Sequence, residues 1–292
     1  MSESRFPYAR ELEVAKHAAR TAGGAVMEFY DAQSAQTYVK KDGSAVTDAD
    51  LAADRIIRQA ILDAFPDDAL LTEEGADDEV RLDNPRVWIV DPIDGTNQFV
   101  ERTGEFDVLI ALIVEGRPVV SVTYQPTEDM LLSAVTGQGA TIEQLGKCEP
   151  LTLTPLPQDE PPRLMTSVWL GYPENFPFFE RMAVRLAAPA PQVSLSGISL
   201  RRIMPGTQQA DAVIGYKLGE TLDDQTFAWE WDFAAPDLII HEAGGSMTDL
   251  QGHVHRYNKR VPRNERGVIF SVDPITNRRV VDAIALEMAV EG

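Results

Sequence analysis

Basic residues are scarce in this chain: 26 Lys and Arg stand against 46 Asp and Glu, a formal net charge of −20. A field of that sign repels phosphate backbones, so a nucleic-acid polymer is not expected as a partner. Cysteine is nearly absent. Cys148 alone excludes an internal disulfide and fits a reducing compartment. No apolar run approaches the ~20 residues of a membrane helix. The longest strong one, Val108 to Val114, has the length of a strand. The start, Met1-Ser2-Glu3-Ser4-Arg5, carries no apolar segment of the kind a signal peptide needs. There is no internal repeat, no Walker A segment and no Gly-x-Ser-x-Gly elbow. These absences predict a soluble, cytoplasmic protein with no membrane partner. What is present is ordinary: 292 residues, 44% hydrophobic and 25% charged, enough for two medium domains or one large one.

Periodicity predicts two helices first. Leu12, Ala15, Ala19, Ala22, Val26 and Phe29 share one helical face. A second helix starts at Thr47, where Thr47 and Asp50 have capping-box spacing, and stops at Pro66. Short β-branched runs follow: Leu70 to Thr72, Val87 to Val90, Val108 to Val114, Val119 to Tyr124 and Met130 to Val135. Turns at Gly116-Arg117-Pro118 and Pro126 to Asp129 make part of this sheet an antiparallel meander. The proline-punctuated stretch 149–162 marks a boundary between an N-terminal α+β domain, 1–150, and a C-terminal α/β domain, 151–292. In the second, strands at 164–168, 193–195, 212–214 and 268–272 alternate with helices at 174–187, 197–204, 232–243 and 273–290.

The chemistry concentrates between Leu71 and Gln125. A buried strand ends in Asp91-Pro92-Ile93-Asp94-Gly95-Thr96. Hard divalent cations take oxygen ligands, which Asp91, Asp94 and the Ile93 carbonyl offer if the proline turn folds back. Gly95 allows close backbone approach. A helical turn opening there would aim the N–H groups of Gly95 and Thr96 at a phosphate. Thr72-Glu73-Glu74 closes another strand and offers Glu73 as a ligand, and Asp232 opens a helix far downstream. Each element has a second reading. Asp91 to Gly95 also reads as a plain turn, Asp232 as an N-cap, Asp50 as a capping-box acid, and Glu73-Glu74 as part of a solvated acidic face. Other signals point nowhere. His253-Val254-His255 lacks a third ligand and reads as an exposed turn, and His241-Glu242 lacks the second histidine of a zincin. Gly137-Gln138-Gly139 is a lone hairpin Gly-x-Gly, and Cys148 has no histidine partner.

The motifs in their order carry a resemblance. Thr72-Glu73-Glu74-Gly75, Trp88 to Thr96, Trp231-Asp232-Phe233-Ala234-Ala235 and Glu242-Ala243-Gly244-Gly245 resemble the inositol monophosphatase superfamily. Lys40 to Asp50 resembles that family's N-terminal Val-Thr-x-x-Asp segment. The resemblance covers nearly the whole chain and implies an α+β, α/β layered sandwich of αβαβα type, as in inositol monophosphatase and fructose-1,6-bisphosphatase. Three details are similar to the CysQ-type 3′(2′),5′-bisphosphate nucleotidases: Arg102 to Phe106, Gly197 to Arg201, and Tyr257-Asn258-Lys259. Departures from that group are Ile198 for serine, Arg201 for lysine, Asn97 for lysine, Pro236 for glycine and a longer 218–228 loop.

The resemblance implies Mg²⁺-dependent hydrolysis of a small phosphate monoester with two or three ions. Glu73, Asp91 and the Ile93 carbonyl would hold one ion, Asp91, Asp94 and Asp232 a second, and Glu73 with water a third. Thr96, with Glu73 or Asp50, would orient and deprotonate the attacking water. Gly95 and Thr96 would bind the phosphate. Ser199, Arg201 and Lys40 are the candidate substrate contacts; Arg201 also reads as a solvated base at a helix start, and Lys40 as a surface loop lysine. Family analogy adds Li⁺ inhibition and a homodimer. The expected substrate is 3′-phosphoadenosine 5′-phosphate. The alternatives are an inositol-1-phosphate or histidinol-phosphate phosphatase, or, in another class, a non-catalytic protein that binds metal or a phosphorylated ligand.

Overall fold

A computed structural model describes residues 7–40, 45–77, 79–167, 176–194, 200–215 and 226–291. They fall into two compact units. The first comprises 1–151, 230–242 and 257–262, and the second 152–229, 243–256 and 263–292.

The first unit opens with α1 (Ala9–Ala32), the hairpin β1 (Thr37–Val39) and β2 (Ala45–Thr47), and α2 (Asp48–Ala64). Its main sheet follows: β3 (Ala69–Thr72), β4 (Arg86–Asp94), β5 (Asp107–Val114), β6 (Arg117–Gln125), β7 (Met130–Val135), β8 (Ala140–Gln144) and β9 (Lys147–Leu151). A short α3 (Thr96–Val100) separates β4 from β5. The seven strands lie in sequence order, with β3 parallel to β4 and every later pair antiparallel. The expected meander is therefore present, extended by β8 and β9, whose alternation is too short and polar to stand out. Pro150 lies inside β9, at the sheet edge, where a missing N–H leaves no ladder bond open.

The stripe on α1 buries Ala15, Ala19, Ala22 and Val26, joined by Ala18. These pack with Ala53, Ile57 and Ile61 of α2 and with Trp88, Val90, Ile110, Leu112 and Val122 of the sheet. Small alanines let the two helices approach each other and the strands. Truncating Ile57 to Ala in such a core costs about 2–5 kcal/mol. Thr47 caps α2 as expected: its hydroxyl accepts from Ala49 N at 3.2 Å, while Asp50 Oδ2 accepts from Thr47 N at 2.8 Å.

The second unit contains β10 (Leu164–Ser167), α4 (Phe176–Arg185), β11 (Gln192–Ser194), β12 (Ala212–Gly215), β13 (Thr226–Trp229), β14 (Ser246–Thr248), β15 (Arg263–Glu265), β16 (Val268–Ser271) and α6 (Pro274–Glu291). Five strands form a mixed sheet ordered β11-β10-β12-β16-β14, and β13 pairs with β15. Phe178, Phe179 and Met182 of α4 and Val280 and Ile284 of α6 share its core with Leu164, Ile214 and Ile269. The helix expected over 197–204 is a single 3₁₀ turn, Leu200–Ile203, with 195–199 outside the described residues.

The remaining helix, α5 (Glu230–Glu242), changes the expected division of the chain. The compact units part at Leu151/Thr152, beside the expected boundary, but α5 groups with the first unit and carries Asp232 there. The reason is packing. Trp231, Phe233, Ala234, Ala235, Leu238, Ile239 and Ile240 are all buried, and so are Glu230 and Asp237, so α5 is covered on nearly every side. It lies against β4, β5, β6 and β7, on the sheet.

Candidate active site

Asp91 and Asp94 are three residues apart, a spacing that sends side chains to opposite faces of a regular strand. A bulge reverses this. Asp91 pairs with Leu109 and Asp94 with Asp107, three residues against two, so both aspartates come to one face. Asp91 is 1% exposed, and its Oδ1 accepts from Ile93 N at 3.0 Å. Asp232, in the first turn of α5, meets them there: Asp91, Asp94 and Asp232 each offer a carboxylate oxygen, all within 4.8 Å of one another. Asp232 is thus a helix-interior residue two positions after the helix start, not its N-cap.

The charge is concentrated enough to resist itself. Burial, followed by Glu73, Asp94 and Asp232, pushes the Asp91 carboxyl well above the usual carboxylate range. Burial, followed by Asp232, Asp107 and Glu73, does the same to Asp94. Glu73 is therefore electrostatically part of the cluster, although its oxygens lie outside the closest group of three. A group of mutually repelling carboxylate oxygens, with Asp91 buried and Asp94 and Asp232 half-buried, fits a hard divalent cation, whose charge would reverse the repulsion.

A second constellation lies beside it. Asp50 is 1% exposed. Its Oδ1 accepts the Thr96 hydroxyl at 3.0 Å, and its Oδ2 accepts the Thr47 hydroxyl at 2.6 Å. Burial raises the Asp50 carboxyl, against the hydrogen bonds from Thr47 and Thr96. The Ile93 carbonyl lies 3.3 Å from the same Thr96 hydroxyl. Thr96 opens α3, and Gly95 precedes it with φ +97°. A Cβ on Gly95 would stand 2.9 Å from the Glu105 carbonyl, so the turn requires glycine.

Lys40 ends the β1 side of the hairpin. Its ammonium binds Glu73 at 2.6 Å and Glu74 at 2.7 Å. Burial works against that charge, but Glu73 and Glu74 outweigh it and hold Lys40 above its ordinary range. Glu74 is pushed up to about 7, chiefly by burial. Glu74 and Asp107 are the residues that sequence reasoning missed at this site. Glu74 looked like part of an acidic surface, and Asp107 stands at a strand start where only pairing with Asp94 reveals it.

A model of the inositol monophosphatase family matches residues 8–285. The chain belongs to that family. Members are phosphatases that hydrolyse phosphate monoesters, and the family is metal-dependent. This family phosphatase is 33% identical over 251 residues to the 3′(2′),5′-bisphosphate nucleotidase CysQ of Salmonella typhimurium, covering 85% of this chain and 94% of that one. It is also 31% identical over 249 residues to the Nus factor SuhB of Pasteurella multocida, covering 82% and 85%. Among solved structures, it resembles CysQ of Bacteroides thetaiotaomicron with TM-score 0.67 and 26% identity, over 91% of this chain and 98% of that chain. SuhB of Bartonella henselae has the same fold, with TM-score 0.72 and 24% identity over 94% and 98%.

Of the expected substrate contacts in this inositol monophosphatase family member, Lys40 lies at the acidic cluster, bonded to Glu73. Ser199 lies outside the described residues. Arg201 sits in the 3₁₀ turn of the second unit, where its carbonyl accepts the Thr207 hydroxyl at 2.8 Å. His253 is an exposed side chain beside Asp249 as expected, but His255 is only 6% exposed. Among the described residues, no helix is long and apolar enough to cross a membrane.

Proposed function

We propose that this phosphatase is a Mg²⁺-dependent 3′(2′),5′-bisphosphate nucleotidase acting on 3′-phosphoadenosine 5′-phosphate. The observation that carries the reading is the convergence of Asp91, Asp94 and Asp232, in a chain 33% identical to a CysQ nucleotidase over 94% of its length. Glu73, Asp91, the Ile93 carbonyl, Asp94 and Asp232 are the residues that would hold two or three Mg²⁺ ions. Bound there, Mg²⁺ supplies Lewis-acid polarisation of the phosphoryl oxygens and a more acidic water.

The protein's own groups supply orientation. Asp50, held by Thr47, accepts the single Thr96 proton, which leaves the Thr96 oxygen lone pairs to orient an incoming water. Glu73 or Asp50 would take that water's proton. With Gly95 in a left-handed turn at the start of α3, the N–H groups of Gly95 and Thr96 would donate to phosphoryl oxygens. Lys40 offers a cation to an anionic substrate, in exchange for its pairing with Glu73 and Glu74. In Ser199 and Arg201 the reading includes contacts to a second phosphate or the base. A guanidinium can grip phosphate bidentately, so exchanging the nucleotidase lysine for Arg201 preserves that capacity.

Phosphate release from 3′-phosphoadenosine 5′-phosphate, inositol-1-phosphate and histidinol phosphate, each with and without Mg²⁺, tests the assignment. The nucleotide is expected to have the highest kcat/KM, only with Mg²⁺. A preference for inositol-1-phosphate of about tenfold or more, some 1.4 kcal/mol in transition-state binding, rejects the nucleotide assignment. Binding of all three without turnover in Mg²⁺ would favour the non-catalytic reading.

A further inference from the structure

Two buried acids flank Asp232 on α5. Glu230 and Asp237 are both fully buried, and buried carboxylates need partners. One short segment of the first unit, 257–262, meets both. Glu230 accepts from the backbone N–H of Asn258 at 2.7 Å and of Lys259 at 3.1 Å, and pairs with the Lys259 ammonium at 2.6 Å. Asp237 accepts the Tyr257 hydroxyl at 2.9 Å and a bidentate pair from Arg117 at 2.7 and 3.0 Å. Tyr257 N donates to the Gly116 carbonyl at 3.1 Å, next to Arg117.

The same segment grips the chain that follows Glu73. Arg81, 2% exposed, donates to Asn258 Oδ1 at 2.7 Å and the Lys259 carbonyl at 2.9 Å, and pairs with Asp77 at 2.7 Å. Asn258 Nδ2 returns a bond to the Arg81 carbonyl at 3.0 Å. Asn258 has φ +64°, a conformation asparagine tolerates better than most residues. All three side chains of Tyr257-Asn258-Lys259 are thus engaged inside the unit, between the helix that carries Asp232 and the connection that carries Glu73.

We propose that Tyr257-Asn258-Lys259 is a positioning strap: by holding Glu230 and Asp237 on α5, and Arg81 beyond Glu73, it fixes Asp232 and Glu73 against Asp91 and Asp94. The proposal rests on reading the acidic cluster as a cation site. Two anchors on one helix, on either side of Asp232, set both its height along the axis and its rotation. Metal sites tolerate ligand displacements of only about 0.2 Å, so small slippage of α5 would show in affinity before it showed in folding. The tripeptide that is similar to nucleotidases is then a part of the cation site's framework and not a substrate contact.

Mn²⁺ binding followed by electron paramagnetic resonance tests this in the full chain, with thermal unfolding measured alongside. The variants are Asp232→Asn, Asn258→Gly, Lys259→Met, Lys259→Arg and, as a core control in α1, Val26→Ala. Glycine keeps the left-handed backbone at 258 while removing the amide. Asn258→Gly and Lys259→Met are expected to weaken Mn²⁺ about tenfold, the low end of the loss seen when a ligand's own hydrogen-bond partner is removed, because they act one step further out through Glu230 and Arg81. Lys259→Arg should stay near wild type, and Val26→Ala should lose thermal stability while keeping Mn²⁺ affinity. If Asp232→Asn binds Mn²⁺ like the wild type, the cation-site reading fails. If Asp232→Asn loses affinity while Asn258→Gly and Lys259→Met keep it, the strap alone is overturned. Equal weakening in Val26→Ala also overturns it. Should Asn258→Gly not fold, the Lys259 pair decides.

Discussion

A carboxylate at Asp94 is a poor choice for stability. Burial and the charges of Asp232, Asp107 and Glu73 all disfavour its ionised form. Such a residue persists where the repulsion is useful, and a cation is the simplest use. Asp94→Asn should therefore lower Mg²⁺-dependent kcat by roughly a hundredfold or more. The same substitution should raise the melting temperature of the metal-free protein, read by calorimetry in EDTA. Loss of both activity and stability would mean that Asp94 is a structural residue. At this scale much of the site was legible. Asp91, Asp94 and Thr96 stand out beside Pro92 and Gly95, Asp50 through its capping-box spacing, and Glu73 and Asp232 through the order of the motifs. Asp107 does not, since its relevance arises only from the bulge that pairs it with Asp94. Glu74 is hidden in the sequence because neighbouring acids through Glu79 mimic a solvated face, whereas its side chain is 6% exposed.

Elements hold these residues in place through their ends. The capping box of α2 ties Thr47 to Asp50, and Asp50 also accepts from Thr96, so a helix start and the turn at Gly95 share one carboxylate. Thr47→Ala should cost about 1 kcal/mol in urea unfolding, the usual value of a lost cap. It should also reduce kcat, because Asp50 loses one of its fixed donors. A stability loss without a kcat loss would separate the cap from the site. Gly95→Ala should cost at least about 1 kcal/mol, from the left-handed backbone and the clash with the Glu105 carbonyl. On α5, burial works against His241 protonation, but its bonds to Asp237 outweigh this and raise its pKa above the ordinary 6.5. A raised folded value means that protonated His241 stabilises the fold fully below pH ~6.5 and ceases to do so as pH rises through the folded value. Wild type minus His241→Asn, compared by urea unfolding, should thus show a stability advantage at pH 6 that shrinks by pH 9. An advantage that grows with pH would contradict the Asp237 pairing. The capping box was readable from spacing alone. The β4 bulge was not, since nothing local distinguishes Pro92 in a turn from Pro92 in a bulged strand.

For the whole molecule, the proline-rich stretch 149–162 lies beside the parting of the compact units at Leu151/Thr152, but nothing in the sequence says that α5 groups with the first unit. Chain order favours the simple split. The decisive fact is that α5 is buried nearly all round, its acids Glu230 and Asp237 included, and lies on the sheet of the first unit, a consequence of tertiary packing. Placing Asp232 in the same unit as Asp91 and Asp94 lets one compact body hold all three oxygens. Metal binding should then stabilise that body as any ligand of the native state does, by about 2.7 kcal/mol at a hundred times Kd. EDTA should abolish phosphate release, and Mg²⁺ should restore both activity and the higher melting temperature. Full activity in EDTA would refute metal dependence. The most direct measurement is anomalous diffraction from crystals soaked in Mn²⁺, whose oxygen preference matches that of Mg²⁺. Anomalous peaks are expected among the carboxylates of Glu73, Asp91, Asp94 and Asp232, in direct coordination distance of their oxygens. Peaks elsewhere, with those four carboxylates left without an ion, would contradict the cation site on which the proposed chemistry stands.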